Sequence, residues 1–279
     1  MAANNFATRV LSALILAPVA LGLTWAGGLP FRMLAVVTSG AILYEWLGMF
    51  GRDQSVFWKG CVVATLVLTC VALLFGLTGA AALAMIVGFY IVLAVIASVT
   101  GRRGGALSHA LAFGFLYSAL PALAMIAIRG SEAGGLAAIL FLFAVVWGTD
   151  IFAYFTGKAI GGPKLAPAIS PGKTWSGAIG GALLASLCGF IVVSIHAGGL
   201  VWTVLPIALL LSIASQLGDL FESGAKRRAG VKDSGHLIPG HGGVLDRVDG
   251  LVVAAVCLYA IGLSLGGFDV FGKTVLLQR

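Results

Sequence analysis

Charge is scarce in this chain. Only 10% of its 279 residues are Asp, Glu, Lys or Arg, and 60% are hydrophobic, where a soluble domain carries about 25% charged residues. So little charge cannot cover a water-facing surface. That excludes a soluble fold and points to a polytopic membrane protein. Cysteine is rarer still. Cys61, Cys70, Cys188 and Cys257 all lie in apolar runs, without metal-ligand spacing. This excludes a zinc site or a disulfide framework and leaves four small hydrophobes. No soluble basic segment carries the net charge of +7, which excludes nucleic acid as a partner. The surplus cations read instead as orientation signals and anion-binding groups. A short-period repeat, a low-complexity tail and a long linker are all lacking, so the chain reads as a single polytopic domain over residues 1–279. Glycine, by contrast, is abundant at 40 residues, which suits closely packed membrane helices.

Apolar runs of about 18 residues or more are candidate spans. Nine occur, at 9–26, 31–50, 58–78, 80–99, 106–128, 135–156, 175–196, 200–220 and 248–267. The first resembles a signal peptide, with Ala26-Gly27-Gly28 imitating a cleavage site, but the spans that follow favour an uncleaved helix. The expected fold is therefore an all-α integral membrane protein of about nine transmembrane helices. With the N-terminus cytoplasmic and the C-terminus outside, only Arg32, Arg129, Lys273 and Arg279 of the 17 Lys and Arg face outward, as positive-inside bias demands. The two long polar segments, 157–174 and 221–247, then share the cytoplasmic side. Residues 1–130 read as scaffold helices, and 131–279 as the helices and loops that carry the active site.

Acids inside apolar runs are costly and usually mark a site or a buried pair. Asp150 and Asp219 stand near the cytoplasmic ends of their helices, within reach of one pocket. Glu45 reads equally well as a helix-pairing group. In the 157–174 segment, Gly172-Lys173-Thr174 invites comparison with a phosphate-binding P-loop. The pattern fails, because Pro167 stands where a Gly is required and no strand is expected before it. What remains is Lys158, Lys164, Lys173, Ser170 and Thr174 ahead of a helix N-terminus, a favourable place for an anion.

The stretch Asp219–Asp249 holds five of the ten acids, five of the 17 Lys and Arg, and two of the four His. Asp219 and Glu222 are three apart, as are Asp246 and Asp249, so each pair can share a helix face. Four carboxylates at two helix ends suit a hard cation, Mg²⁺ above all beside phosphate. Lys226, Arg227, Arg228, Lys232 and Arg247 suit phosphate oxygens, and Gly242 and Gly243 allow close backbone approach. His236 and His241 are candidate acid or base groups. Anion donors beside a carboxylate-held metal form the apparatus of phosphoryl or nucleotidyl transfer.

The run Ser223-x-x-Lys226-Arg227, then Lys232-Asp233-x-Gly235-x-x-Ile238-Pro239-x-His241-Gly242-Gly243-Val244-x-Asp246-Arg247-Val248-Asp249, resembles the signature of the phosphatidate cytidylyltransferases. Thr149-Asp150-x-Phe152-Ala153-Tyr154 and Ser170-Pro171-x-Lys173-Thr174-Trp175-x-Gly177 are similar to other motifs of that family. Three positions depart from its usual pattern: Gly172, Ala225 and Ser176. The resemblance implies attack of phosphatidate on CTP to give CDP-diacylglycerol and pyrophosphate with Mg²⁺, and it leaves room for a second, monovalent cation. It also implies a bacterial inner-membrane protein of phospholipid biosynthesis, working among membrane lipids, with a homodimer compatible. In that reading Asp219, Asp246 and Asp249 hold metal, and Lys226, Arg227, Lys232, Asp233, His241 and Arg247 serve catalysis. Asp150, Ser170, Lys173, Thr174, Ser223, Gly242 and Gly243 bind substrate. The rivals are an ion-coupled transporter and a CTP-dependent lipid kinase.

Overall fold

The computed structural model describes residues 2–100, 105–132, 134–238, 240, 242–267 and 272. His241 lies outside these residues, as do Arg102, Arg103, Lys273 and Arg279. Among the described residues, nine α-helices follow the nine apolar runs. They are α1 (Ala2–Ala26), α2 (Gly28–Phe50), α3 (Val56–Leu74), α4 (Gly79–Thr100), α5 (Gly105–Arg129), α6 (Gly135–Ile160), α7 (Trp175–Ala197), α8 (Val204–Arg228) and α9 (Leu245–Ser264). Helices α2 to α9 are long and apolar enough to cross a membrane, and α1 contributes the shorter apolar stretch Leu14–Ala26. Val67, Leu68, Ile91, Val92, Leu183 and Leu187 are exposed on these helices, as befits surfaces that meet lipid rather than water. The chain is an integral membrane protein and nearly all-α.

Helix α1 starts at Ala2, seven residues before its run, and two further features differ from the sequence expectation. Helix α8 continues to Arg228, eight residues past the run that ends at 220. Its extension remains amphipathic, with Glu222 and Ala225 buried and Arg227 and Arg228 exposed. The second polar segment is correspondingly shorter. The first polar segment is not strandless: β1 (Lys164–Ala166) and β2 (Ser170–Thr174) form an antiparallel hairpin in the register Lys164↔Thr174 and Ala166↔Ser170. This corrects the expectation that no strand precedes Gly172. Strands of three residues (Lys-Leu-Ala) and five (Ser-Pro-Gly-Lys-Thr) are too short to show an apolar alternation in the sequence.

The chain divides into two compact units, Met1–Ile126 with Ala229–Arg247 and Ala127–Arg228 with Val248–Arg279. In the first, α2 packs against α1 and α3, and α3 against α4. The Ser39 hydroxyl donates to the Ser118 carbonyl and Trp46 Nε1 to the Ala110 carbonyl, both at 2.8 Å. These bonds tie α2 to α5 where no water competes. The Trp46 ring packs on Phe50, Phe113 and Tyr117 at centroid distances of 4.9, 5.7 and 5.3 Å.

In the second unit, α6 and α7 meet along small residues. Gly177, Gly181, Ala185 and Gly189 recur every fourth position on α7, so they line one face. A Cβ on Gly177 would stand 2.7 Å from the Ala153 carbonyl oxygen, and one on Gly181 2.9 Å from Ala153 Cβ. Small residues of this kind let membrane helices approach backbone to backbone. Helix α8 joins the pair through a 2.6 Å bond between the Thr149 and Ser212 hydroxyls and a 3.2 Å bond from Gln216 to the Ala178 carbonyl.

Candidate active site

The second unit gathers acids from three helices around one lysine. Asp219 stands where α8 leaves its apolar stretch, one residue after Gly218. A Cβ at Gly218 would lie 2.7 Å from the Asp249 carbonyl, and Gly250 lies against Ser215. The close α8–α9 crossing therefore depends on glycine in both helices. It brings Asp219 and Asp249 within electrostatic reach of each other and of Asp150 from α6. Lys173 of β2 pairs with Asp219 Oδ2, and the Ser223 hydroxyl donates to Asp219 Oδ1 at 3.3 Å. Asp249 Oδ1 accepts the Gly250 N–H at 2.8 Å.

Lys173 is delivered by the hairpin, which is fastened to α7. Thr174 caps that helix, its Oγ1 accepting the Gly177 N–H at 3.1 Å. The Trp175 N–H donates to the Pro163 carbonyl at 3.1 Å, and the Ser176 hydroxyl donates to the Gly161 carbonyl. Thr174, expected at substrate, is thus buried and serves as a helix cap. Ser170, half-buried, begins β2 opposite Ala166.

The acid pairs expected from their spacing separate in function. Glu222, three residues after Asp219, is fully buried and pairs with Lys226 at 2.6 Å one turn later. Lys226, expected at phosphate, is mostly buried by that contact. Arg227 is exposed. Lys226→Met is expected to destabilise the protein by about 3 kcal/mol, because it strips the cation from a desolvated carboxylate. Thermal unfolding in detergent reads the loss, and the double variant with Glu222→Leu should recover most of it.

A second cluster belongs to the first unit. Asp246, in the first turn of α9, gives its carboxylate to loop backbone. The Ser234 N–H donates to Oδ2 and Oδ1 at 3.0 and 3.2 Å, and the Gly243 N–H to Oδ2 at 2.8 Å. Gly242, at φ 83°, pairs across a short bridge with Ile238. Lys232, Asp233, His236 and Arg247 are exposed around this loop. Its other acid partner is Glu45 of α2, which accepts from the Ser234 hydroxyl and from the Val244 and Leu245 N–H groups. From the sequence, Glu45 reads equally well as a site acid or a helix-pairing group, and Ser234 carries no signal. An acid within an apolar helix was the available signal for Glu45, but nothing local names a partner some 200 residues away.

Among the described residues, no group of three or more His, Cys, Asp and Glu is arranged to hold a metal ion. The donor chemistry of Asp219, Asp249 and Asp150 still fits Mg²⁺. Their oxygens are hard, and the ammonium of Lys173 already sits against one of them as a cation. Mg²⁺ commonly takes only one or two carboxylates and completes its shell with water and substrate phosphate, so a closed protein cage is not required.

Comparison with known proteins gives two findings. The sequence profile described as the cytidylyltransferase family matches residues 7–265. A Brucella abortus (strain 2308) protein named phosphatidate cytidylyltransferase is 46% identical over 267 residues, covering 96% of this chain and 97% of its own. A Pseudomonas aeruginosa protein of the same name is 38% identical over 271 residues, covering 91% and 97%.

Proposed function

The chain belongs to the cytidylyltransferase family, and we propose that it transfers the cytidylyl group of CTP to phosphatidate, forming CDP-diacylglycerol and pyrophosphate. The near full-length likeness to two proteins of that name supports the substrates. The observation that carries the chemistry is the cluster of Asp150, Asp219 and Asp249 around Lys173. Acids that can hold a hard cation, beside a lysine that can meet phosphate oxygen, are what nucleotidyl transfer needs.

An oxygen of the phosphatidate phosphate attacks the α-phosphorus of CTP, and the bond to the β-phosphate bridging oxygen breaks to release pyrophosphate. A phosphomonoester is largely dianionic at neutral pH, its second pKa lying near about 6, so no side chain has to deprotonate it. The protein's task is positioning and charge compensation. Mg²⁺, when bound, neutralises triphosphate charge and polarises phosphoryl oxygen. Asp219 and Asp249 would hold it, with Asp150 adding negative charge nearby. Lys173 and Ser223 orient the Asp219 carboxylate, and Lys173 would bind phosphate oxygen. Exposed Arg227, on the same helix as Asp219, is assigned to triphosphate charge, and Lys232, Asp233, His241 and Arg247 keep the catalytic roles that the family resemblance implies. Asp246 holds the Ser234 and Gly243 N–H groups beside them.

The protein belongs, on this proposal, in a bacterial inner membrane with its polar segments in the cytoplasm, where CTP is found. The bias of Lys and Arg toward one side of the spans and the bacterial relatives support that placement. The test uses purified protein in detergent with Mg²⁺, labelled CTP and phosphatidate. A labelled CDP-lipid and an equal amount of pyrophosphate are expected. Release of CDP with phosphorylation of a lipid alcohol, or no turnover of CTP at all, would overturn the assignment.

A further inference from the structure

We propose that Glu45 is a positioning residue, which supplies the N-terminal cap of α9 from a distant helix and thereby sets the conformation of the Lys232–Arg247 segment. Its catalytic consequence rests on the cytidylyltransferase reading. Its geometry does not.

Glu45 lies within the apolar helix α2 and is only 2% exposed. Among the described residues, no Lys or Arg forms an ion pair with it. Its partners are hydrogen-bond donors instead: the Val244 N–H to Oε1 at 2.8 Å, and the Leu245 N–H and Ser234 hydroxyl to Oε2 at 2.8 and 2.9 Å. Helix α9 starts at Leu245. The first N–H groups of a helix have no partner within it, and their dipoles favour an anion. A cap normally comes from the residue just before the helix. Here that residue is Val244, whose side chain accepts nothing. The carboxylate of Glu45 instead holds the N–H of Val244 and the first N–H of the helix, that of Leu245.

The loop is built around that carboxylate. A Cβ on Gly235 would fall 2.7 Å from Glu45 Oε1, and one on Gly243 2.5 Å from Oε2. The acid fills the space that side chains at both positions would need. Two acids therefore fasten the segment. Ser234 gives its hydroxyl to Glu45 and its N–H to Asp246. Gly243 gives its N–H to Asp246, and the next two N–H groups go to Glu45. Lys232 and Asp233 directly precede the first fastening point, Ser234, and Arg247 stands two residues after the second, Gly243–Leu245. The backbone that carries these three charged side chains is thus held from α2, in the part of the chain that composition alone assigns to scaffold.

Glu45→Gln tests the idea with almost no change in shape. An amide has one acceptor oxygen, so the Val244 or the Leu245 N–H would face an NH₂ group. In the folded protein in detergent, trypsin cleavage after exposed Lys232 should accelerate about fivefold as the segment opens locally. The kcat for CDP-lipid formation should fall about tenfold with a smaller change in KM for CTP, since the loss is of placement rather than of a substrate contact. The melting temperature of the helices should stay close to wild type. A purely structural Glu45 would show the reverse: a lower melting temperature, with cleavage and kcat per folded molecule unchanged, and that result overturns the proposal. Should Glu45→Gln fail to fold, Glu45→Asp decides, since it keeps the charge and draws the carboxylate back by one methylene from the Val244 and Leu245 N–H groups. Faster cleavage after Lys232 supports the proposal, and the wild-type rate overturns it. Wild-type protein that makes no CDP-lipid would instead refute the enzyme assignment, while the cleavage comparison would still decide the role of Glu45.

Discussion

Replacing Asp219 with Asn is expected to lower kcat for CDP-lipid formation by about a thousandfold, the scale reached when charge aimed at a phosphoryl-transfer site is removed. Asn matches Asp in size and can still accept from the Ser223 hydroxyl, so the fold should survive. What changes is charge. Lys173 loses the carboxylate it pairs with, and Asp249 and Asp150 lose their acidic neighbour. A hard oxygen donor for Mg²⁺ goes with it. Lys173→Met separates these effects, because it removes the cation and keeps the carboxylate. If Asp219 served only to hold Lys173, the two variants and their combination would be equally slow. If Asp219 also serves the metal, Asp219→Asn is the slower single variant and its apparent requirement for Mg²⁺ rises. Initial rates across a Mg²⁺ titration measure both. An Asp219→Asn protein that keeps more than about a tenth of wild-type kcat is not one whose acid cluster carries the transfer.

The spans were readable in the sequence because lipid imposes a single demand, a continuous apolar stretch long enough to cross. Every one of the nine runs is a helix, although α1 begins seven residues before its run and α8 ends eight residues after it. Where that demand ends, legibility ends with it. Helix α8 runs on to Arg228 because Glu, Ser, Ala, Lys and Arg support a helix as well as Leu does once burial is limited to one face. Hydropathy has no means of registering that. The β1–β2 hairpin is not legible in the sequence because its strands are short, without alternation, and held by contacts to the start of α7. In the candidate site, charge density and spacing brought attention to Asp150, Lys173, Asp219 and Asp249, which the fold gathers in one cluster. Spacing could not show that Glu222 turns to Lys226. Nor could it reveal that the glycines of the second loop make room for an acid from α2.

Gly177→Val should be the most damaging change outside the acid cluster, because one position serves both the helix seam and the hairpin. The first atom of any side chain there would meet the Ala153 carbonyl oxygen at 2.7 Å, Thr174 Oγ1 at 3.1 Å and Gly157 Cα at 3.3 Å. Two of these belong to α6, and the backbone oxygen cannot rotate away. Separating α6 from α7 enough to admit the valine should lower stability by about 3 kcal/mol, at the upper end for overpacking, with a visibly lower melting temperature in detergent. A second loss follows from the cap. Thr174 Oγ1 receives the Gly177 N–H, and Thr174 directly follows Lys173 in β2. Displacing the cap therefore shifts the lysine that meets Asp219. Molecules that remain folded should then turn over about tenfold more slowly, the effect expected of misplacement by a fraction of an ångström or more. Gly172→Ala provides the control on the same hairpin. A Cβ there meets nothing within 4 Å, so its melting temperature and rate should match wild type. If Gly177→Val matched wild type too, the seam would not be what places Lys173.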